Sequence, residues 1–182
     1  MLFEMAMVLA LQQAQAAFAD LPPVTVRTYV VSGRNAQEVR ASVNANRPVL
    51  GGQGRDASTA WTYNTRWMND ASGTCLPNTA EVTYAFVVTL PELSEEARLR
   101  GESVSRWNEW TAYLTAHERR RVETAIAGFE AMRTAMRAAP DCAVMAARQT
   151  EAVAAINAES RAMDAALAEQ YRRNPRRLPT FP

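Results

Sequence analysis

The sequence is poor in the side chains that most often carry out catalysis. It contains one histidine, His117, and two cysteines, Cys75 and Cys142. It contains no lysine, and its 20 arginines face 19 acidic residues, which leaves a formal net charge of +1. A charge so close to zero provides no general field that would attract nucleic acid or a membrane surface. A Ser-His-Asp site would have to use His117, and the Gly-x-Ser-x-Gly motif of many hydrolases is absent.

Long apolar runs and a phosphate-binding loop are also missing. No stretch after the first 19 residues is long enough to cross a membrane as a helix. The glycine-rich segment 51–54 is not followed by Lys-Ser or Lys-Thr, so it is not a nucleotide-binding loop. The expected partner is therefore an unknown protein or peptide, with no nucleic acid and no integral membrane span.

The N-terminus has the features of an export signal. Residues 5–11 are apolar, and Ala17-Phe18-Ala19 before Asp20 has the small-x-small form of a signal-peptidase site. This pattern predicts a signal peptide over residues 1–19, a single domain over 20–171 and a basic, proline-containing tail over 172–182. The protein would then be periplasmic or secreted. The alternative is an ordinary amphipathic helix, because Glu4 is the only early charge and a leader normally begins with positive charge.

The expected oxidation state of the two cysteines depends on the compartment. In an exported protein, such a pair usually forms one disulfide. In a cytoplasmic protein, Cys75 and Cys142 would be two buried thiols. The disulfide prediction and the export prediction therefore depend on each other.

Three segments have the composition or the alternation of β-strands. Val24–Val31 is rich in β-branched residues, and residues 58–68 and 80–90 alternate between two faces. The turn-forming residues 69–73 lie between the last two segments, which predicts an antiparallel pair. Pro91 is expected to end the last strand.

The rest of the chain is predicted to be helical. Asn35 can cap a helix that runs to Asn46, with Val39 and Val43 on its buried face. Ser94, followed by two glutamates, suits a helix start, and long helices are expected over about 103–139 and 141–171, with Asp141 as a cap. The predicted fold is α+β: a small antiparallel β-sheet packed against two long C-terminal helices, plus one short N-terminal helix.

An unusual carboxylate lies on the first long helix. Glu118 falls near the middle of an apolar stripe, and His117 falls at its edge. The stripe consists of Trp107, Leu114, Val122, Ala125, Phe129, Met132 and Met136. Burying a carboxylate in such a stripe is costly unless the group is paired or binds an ion. Glu118 is therefore the first candidate for a functional residue.

The pair His117-Glu118 matches the first half of a zinc-protease motif. In His-Glu-x-x-His, two histidines one helical turn apart bind zinc and the glutamate polarises the attacking water. Here the second histidine is replaced by Arg121, whose guanidinium has no lone pair for a metal. A catalytic zinc needs three protein ligands, so the expectation is no cofactor. Zinc remains an alternative, with His117 as ligand and Glu118 as the catalytic residue.

The chain also resembles a known family over residues 24–171. It is similar to the bacterial predicted secreted zinc-dependent proteases, a domain family otherwise of unknown function. The matching residues are Tyr29-Val30-Val31-Ser32-Gly33, Thr59-Ala60-Trp61, Gly73-Thr74-Cys75, Thr89-Leu90-Pro91, Trp110, Tyr113, His117-Glu118, Cys142 and Tyr171. The resemblance implies export, a bridge between Cys75 and Cys142, and a sheet packed against the helix that bears His-Glu.

The departures from this family affect its metal site. Arg121 in place of the second histidine is the first departure. The family also tends to have an aspartate after the late tyrosine and a His-Gly shortly afterwards. Here Tyr171 is followed by residues 172–177, which contain neither an aspartate nor a histidine. Only His117 and Glu118 carry over from the family's site. The resemblance thus implies a degenerate metal site.

Three functions are consistent with these residues. The first is an exported, catalytically inactive relative of the proteases that binds a partner, with Glu118 held by an arginine such as Arg121. The second is an active zinc metallopeptidase with non-standard ligands around His117-Glu118. The third is a helical interaction protein with no active-site ancestry. The tryptophans at 61, 67, 107 and 110 could line a binding cleft, although core packing is the default for their spacing, and the arginine-rich tail is expected to be solvated.

Overall fold

The computed structural model describes residues 15–173 and 179–181. Its elements follow in the order β1 (Val24–Val31), α1 (Ala36–Asn46), β2 (Val49–Leu50), β3 (Gln53–Gly54), β4 (Ser58–Asn69), β5 (Cys75–Leu93), α2 (Glu102–Arg137) and α3 (Cys142–Arg173). The α+β class is confirmed. The apolar run at 5–11 lies outside the described residues.

The chain divides into two compact units. The first is drawn from Met1–Ala60, Phe86–Arg120 and Asn174–Pro182, and the second from Trp61–Ala85 and Arg121–Arg173. The elements β4, β5 and α2 contribute residues to both units. Among the helices of the described residues, none combines the length and the hydropathy that crossing a bilayer requires.

The first unit contains β1 and the short helix α1. Asn35 caps α1 as predicted, because its side chain accepts a hydrogen bond from the Glu38 backbone N–H at 2.9 Å. Val39 and Val43 are fully buried. Gly33 permits this packing, since a Cβ at that position would lie 2.5 Å from the Val39 nitrogen. The close approach gives a physical reason for the glycine that ends the Tyr29–Gly33 segment.

The main sheet is mixed, whereas the sequence predicted an antiparallel one. Its strand order is β1-β5-β4, and β1 runs parallel to β5 from Val24 opposite Phe86 to Val31 opposite Leu93. The strands β4 and β5 are neighbours joined by residues 70–74, as expected for a hairpin. The error concerns β1 alone. Its long connection to β5 permits either direction, and no local pattern in β1 specifies its partner.

Two boundaries also differ from the sequence prediction. The strand β5 continues through Pro91 to Leu93, because its C-terminal part pairs with β1 over residues 86–93. No helix starts at Ser94, whose backbone N–H donates to the Val31 carbonyl at 2.8 Å. The long helix begins at Glu102, close to the predicted start at residue 103. Strand pairing has therefore overridden both local signals.

The hairpin turn of the second unit is built around Asp70. Its Oδ1 accepts hydrogen bonds from the backbone N–H groups of Ser72 at 2.8 Å and Thr74 at 3.0 Å. Hydrogen bonds, first from the Ser72 side chain, lower the pKa of Asp70 below its usual value. Gly73 has a φ of 85°, a conformation that glycine adopts without strain. The turn predicted at residues 69–73 is confirmed.

The second unit also contains a close approach between α2 and α3. A Cβ at Gly128 would lie 2.4 Å from Ile156 Cγ1, so the small residue allows the two helices to meet. Asp141 caps α3 as predicted and accepts from the Val144 N–H at 2.8 Å. Phe129, fully buried, contacts the rings of Trp61, Tyr63 and Tyr84 and forms the centre of this unit.

Candidate functional site

The helix α2 buries Glu118, as the apolar stripe predicted. Every apolar member of the stripe is buried, and Glu118 is itself only 2% exposed. His117 is half-buried beside it. Neighbouring positions on a helix differ by about 100°, so the two side chains leave the helix in different directions. A buried carboxylate of this kind needs specific partners.

Thr59 provides one such partner. Its hydroxyl donates a hydrogen bond of 2.7 Å to Glu118 Oε2. Thr59 is the second residue of β4, and the preceding residues Ala57 and Ser58 are both buried. The start of this strand therefore supplies a hydrogen-bond donor directly to the Glu118 side chain.

This role of Thr59 was not predicted from the sequence. Thr59 belongs to the segment Thr59-Ala60-Trp61 that carries part of the family resemblance. A usable signal was present, since the alternation of β4 places Thr59 on the same face as Trp61 and Tyr63. Both aromatic residues are less exposed than the residues that alternate with them. A threonine at the start of the same face is well placed to contact a helix that covers it.

Replacing Thr59 with valine tests this bond. We expect the free energy of unfolding to fall by about 1–3 kcal/mol, because a buried carboxyl group loses a hydrogen-bond donor. Urea unfolding would measure the change. Thr62→Val is the matched control, since Thr62 lies in the same strand with an exposed side chain, and it should leave stability nearly unchanged. Equal effects of the two substitutions would contradict the assignment.

Arg121 lies at the position where the His-Glu-x-x-His motif has its second histidine. Its guanidinium forms an ion pair of 2.6 Å with Asp164 and a hydrogen bond of 3.2 Å with the Ser160 hydroxyl. Both partners belong to α3, and the Arg121 side chain is 12% exposed. Arg121 therefore serves to fasten α2 to α3 within the second unit. The hypothesis that Arg121 also holds Glu118 stays a prediction.

The residues present do not fit the zinc site of a metallopeptidase. In residues 15–173 and 179–181, no group of three or more His, Cys, Asp or Glu side chains is arranged to hold a metal ion. The position of the second ligand holds a cation that is already paired with Asp164. Where the family tends to have an aspartate, Arg172 and Arg173 pair with Glu169 in the last turn of α3. Arg176 and Arg177 lie outside the described residues.

The cysteine pairing is confirmed. Cys75 and Cys142 form a disulfide with a Cα–Cα distance of 6.1 Å and a sequence separation of 67. The bond joins the first residue of β5 to the first residue of α3, within the second unit. A disulfide is compatible with an oxidising compartment outside the cytoplasm.

The residues around the expected cleavage site contact α2. Phe18 is 3% exposed, and Arg119 donates to the Ala17 carbonyl and to both carboxylate oxygens of Asp20 at 2.7 Å. A chain cut after Ala19 would keep the ion pair of Asp20 and lose the burial of Phe18. The predicted boundary at residue 19 remains a prediction.

The pH dependence of the Asp20 contact can be stated with its sign. The hydrogen bond from Arg119 lowers the pKa of Asp20 from 3.8 to about 2. Because the folded-state pKa is depressed, the pair stabilises the fold above pH 4 or so and loses its contribution as the pH falls toward roughly 2. An NMR titration would measure the pKa of Asp20, which we expect to return to its ordinary value in Arg119→Gln. The pKa should stay low in Arg120→Gln, which changes the exposed neighbouring arginine.

The first unit contains a second polar cluster, which was not predicted from the sequence. The Asp56 carboxylate binds both terminal nitrogens of Arg40, at 2.7 and 3.1 Å, and Arg47 at 2.9 Å. The Tyr29 hydroxyl donates to the Asp56 carbonyl at 2.7 Å. Burial, followed by the charge of Asp56, raises the pKa of Tyr29, so the phenol stays protonated at neutral pH. The cluster links α1 and β1 to the residues that precede β4.

The four tryptophans have different environments. Trp61 belongs to the aromatic core around Phe129, and Trp67 is 42% exposed. Trp107 and Trp110 are buried in the first unit, where both contact the ring of Phe181. Phe181 is 4% exposed, so this part of the tail is not solvated as predicted.

Fold and site together define the class of this protein. It is an α+β domain whose long helix carries a buried glutamate beside a half-buried histidine, with an arginine where a zinc protease would have its second ligand. Residues 26–172 match the family described as "Bacterial protein of unknown function (DUF922)", and the chain belongs to that family. No curated protein and no solved structure matches the chain. The resemblance is confirmed at the level of a bacterial domain of unknown function, and its protease part stays a prediction.

Proposed function

We propose that this chain is an exported domain that binds a protein or peptide partner and does not hydrolyse peptide bonds with zinc. The observation that carries the proposal is the ion pair between Arg121 and Asp164. In a zinc protease, the side chain at this position supplies a lone pair to the metal. Arg121 instead carries a permanent positive charge and is used to join two helices.

The surroundings of Glu118 support the same conclusion. In a metallopeptidase the glutamate must have access to a metal-bound water. Here Glu118 is 2% exposed, and one carboxylate oxygen accepts from Thr59. A carboxylate held in this way stabilises the contact between strand and helix. This is the behaviour expected of a residue that is retained for structure after its catalytic role has been lost.

The disulfide and the family resemblance support export. The bond between Cys75 and Cys142 is stable in an oxidising compartment and is rarely maintained in the cytoplasm. We therefore propose that the protein acts in the periplasm or outside the cell, after removal of residues 1–19. The intact mass of the protein purified from its own compartment tests both points, since it reports leader cleavage and the loss of two hydrogens in the disulfide. A mass that includes the first 19 residues with two free thiols would contradict export.

Zinc content decides between an inactive domain and an enzyme. We expect the purified full chain to hold less than about one-tenth of an equivalent of zinc after incubation with excess metal and desalting. Stoichiometric zinc that is lost in His117→Ala would overturn the proposal and establish a metallopeptidase-like site with other ligands.

A gain-of-ligand variant makes the same test sharper. Arg121→His places two imidazoles one helical turn apart, and we expect zinc affinity to rise above that of the unmodified chain. Arg121→Gln is the matched control, because it removes the pair with Asp164 and adds no ligand. If neither variant binds more zinc than the unmodified chain, the identity of residue 121 does not explain the lack of metal binding.

A further inference from the structure

Two neighbouring tryptophans in the first unit are covered by one residue of the tail. Trp107 and Trp110 lie one turn apart on α2, with ring centroids 5.2 Å apart. The ring of Phe181 meets Trp107 edge-on at 5.2 Å and lies across Trp110 at 5.8 Å with an interplanar angle of 30°. We refer to Trp107 and Trp110 as the tryptophan platform. Its geometry is that of favourable aromatic pairs.

The platform is held in place before any ligand is considered. The Arg40 guanidinium carbon lies 5.7 Å from the centroid of the Trp110 ring, a cation–π distance. Arg40 is in turn fixed by two hydrogen bonds to Asp56. Rigid aromatic rings with fixed supports lose little conformational entropy on binding, as is typical of recognition sites.

The residue that covers the platform comes from a segment without regular structure. Residues 179–181 form neither helix nor strand, and Thr180 beside Phe181 is exposed. In the sequence, prolines at 179 and 182 bracket the aromatic residue. Extended, proline-rich segments are the form in which aromatic-lined grooves recognise peptides, because such segments are ordered at low entropic cost. Phe181 therefore resembles such a ligand in the composition of its segment and in its contact with the platform.

We propose that the tryptophan platform is a binding site for an aromatic side chain on an extended, proline-flanked segment of a partner protein, with Phe181 as its internal competitor. The tail has the advantage of being tethered, which raises its effective concentration at the platform. A partner segment of the same chemistry displaces it when its own affinity or concentration is high enough. The chemistry of this partner segment specifies the partner of the proposed binding function, and in that respect it rests on the proposed function.

The test uses the full chain and a labelled peptide with the sequence of residues 178–182, Leu-Pro-Thr-Phe-Pro. We expect Phe181→Ala to bind this peptide at least about tenfold more tightly than the unmodified chain, by fluorescence anisotropy, because the internal competitor is removed. Thr180→Ala is the matched control in the same segment and should behave like the unmodified chain. A peptide with alanine in place of phenylalanine should not bind. Adding Trp110→Ala to Phe181→Ala should abolish binding.

A second measurement covers the case in which Phe181→Ala does not fold. The indole N–H signals of Trp107 and Trp110 in the unmodified chain should shift on addition of excess peptide, and the alanine peptide should leave them in place. The proposal would be overturned if neither peptide shifts the indole signals. It would also be overturned if a folded Phe181→Ala variant binds both peptides equally or binds neither. An unmodified chain that is dimeric while Phe181→Ala is monomeric would also overturn it, since a second copy would then be the partner. None of these measurements depends on zinc content. The proposed peptide site and the proposed lack of zinc chemistry can therefore be disproved independently.

Discussion

Replacing Phe129 with alanine is expected to lower the free energy of unfolding by about 3–5 kcal/mol. The Phe129 side chain is fully buried, and its ring lies 4.9 Å from that of Tyr84, 5.2 Å from that of Trp61 and 5.7 Å from that of Tyr63. Removing it leaves a cavity bounded by three rigid rings, which cannot close around the space without moving the strands that carry them. The loss is a large share of the 5–15 kcal/mol that typically stabilises a domain.

Urea unfolding followed by far-UV circular dichroism would measure this effect. Trp67→Ala is the matched control, because Trp67 is an aromatic residue of the same unit with 42% of its surface exposed. It should cost about 1 kcal/mol or less. Phe129→Leu, which keeps most of the apolar volume, should fall between the two. A Phe129→Ala variant that loses no more stability than Trp67→Ala would show that this ring is not the centre of the core.

Removing the disulfide should have an effect of similar size. The bond between Cys75 and Cys142 closes a loop with a sequence separation of 67. In the chain-entropy description, a loop of this length makes a disulfide worth about 4 kcal/mol, since the bond restricts the unfolded chain. The double variant Cys75→Ala, Cys142→Ala is expected to lose this amount relative to the oxidised chain.

Reduction provides an internal check on the second prediction. A phosphine reductant should move the unfolding midpoint of the unmodified chain toward that of the double variant, and it should leave the double variant unchanged. The reduced chain would then lack a large share of the 5–15 kcal/mol that typically stabilises a domain, which agrees with the proposed export. Oxidised and reduced chains that unfold at the same urea concentration would contradict the assigned contribution of the bond.

Local patterns predicted most of the secondary structure and part of the candidate site. The apolar period of α2 identified a buried face, and Glu118 was expected there because its position in that period required it. Asn35 and Asp141 were recognised as caps, since capping depends only on a side chain and the backbone within three residues of it. Such features can be predicted from short windows because the groups that interact are close in sequence.

Pairings between distant segments could not be predicted in the same way. The parallel direction of β1, the continuation of β5 through Pro91 and the absence of a helix at Ser94 all follow from the contact between β1 and residues 86–93. A strand carries the same alternation whether its neighbour runs parallel or antiparallel. Its composition therefore says little about which segment it will pair with.

From the sequence alone it could be predicted that His117 and Glu118 lie on a helix and that Arg121 stands where the His-Glu-x-x-His motif has its second histidine. The chain also contains no other histidine. These conclusions depend on residue identity and helical spacing, which do not change with the fold. Three contacts could be found only in the folded chain: Thr59 hydrogen-bonds Glu118, Arg121 pairs with Asp164, and Phe181 covers Trp107 and Trp110. Each of these contacts joins residues far apart in the chain, and it exists only after several elements have been brought together by packing of their apolar faces.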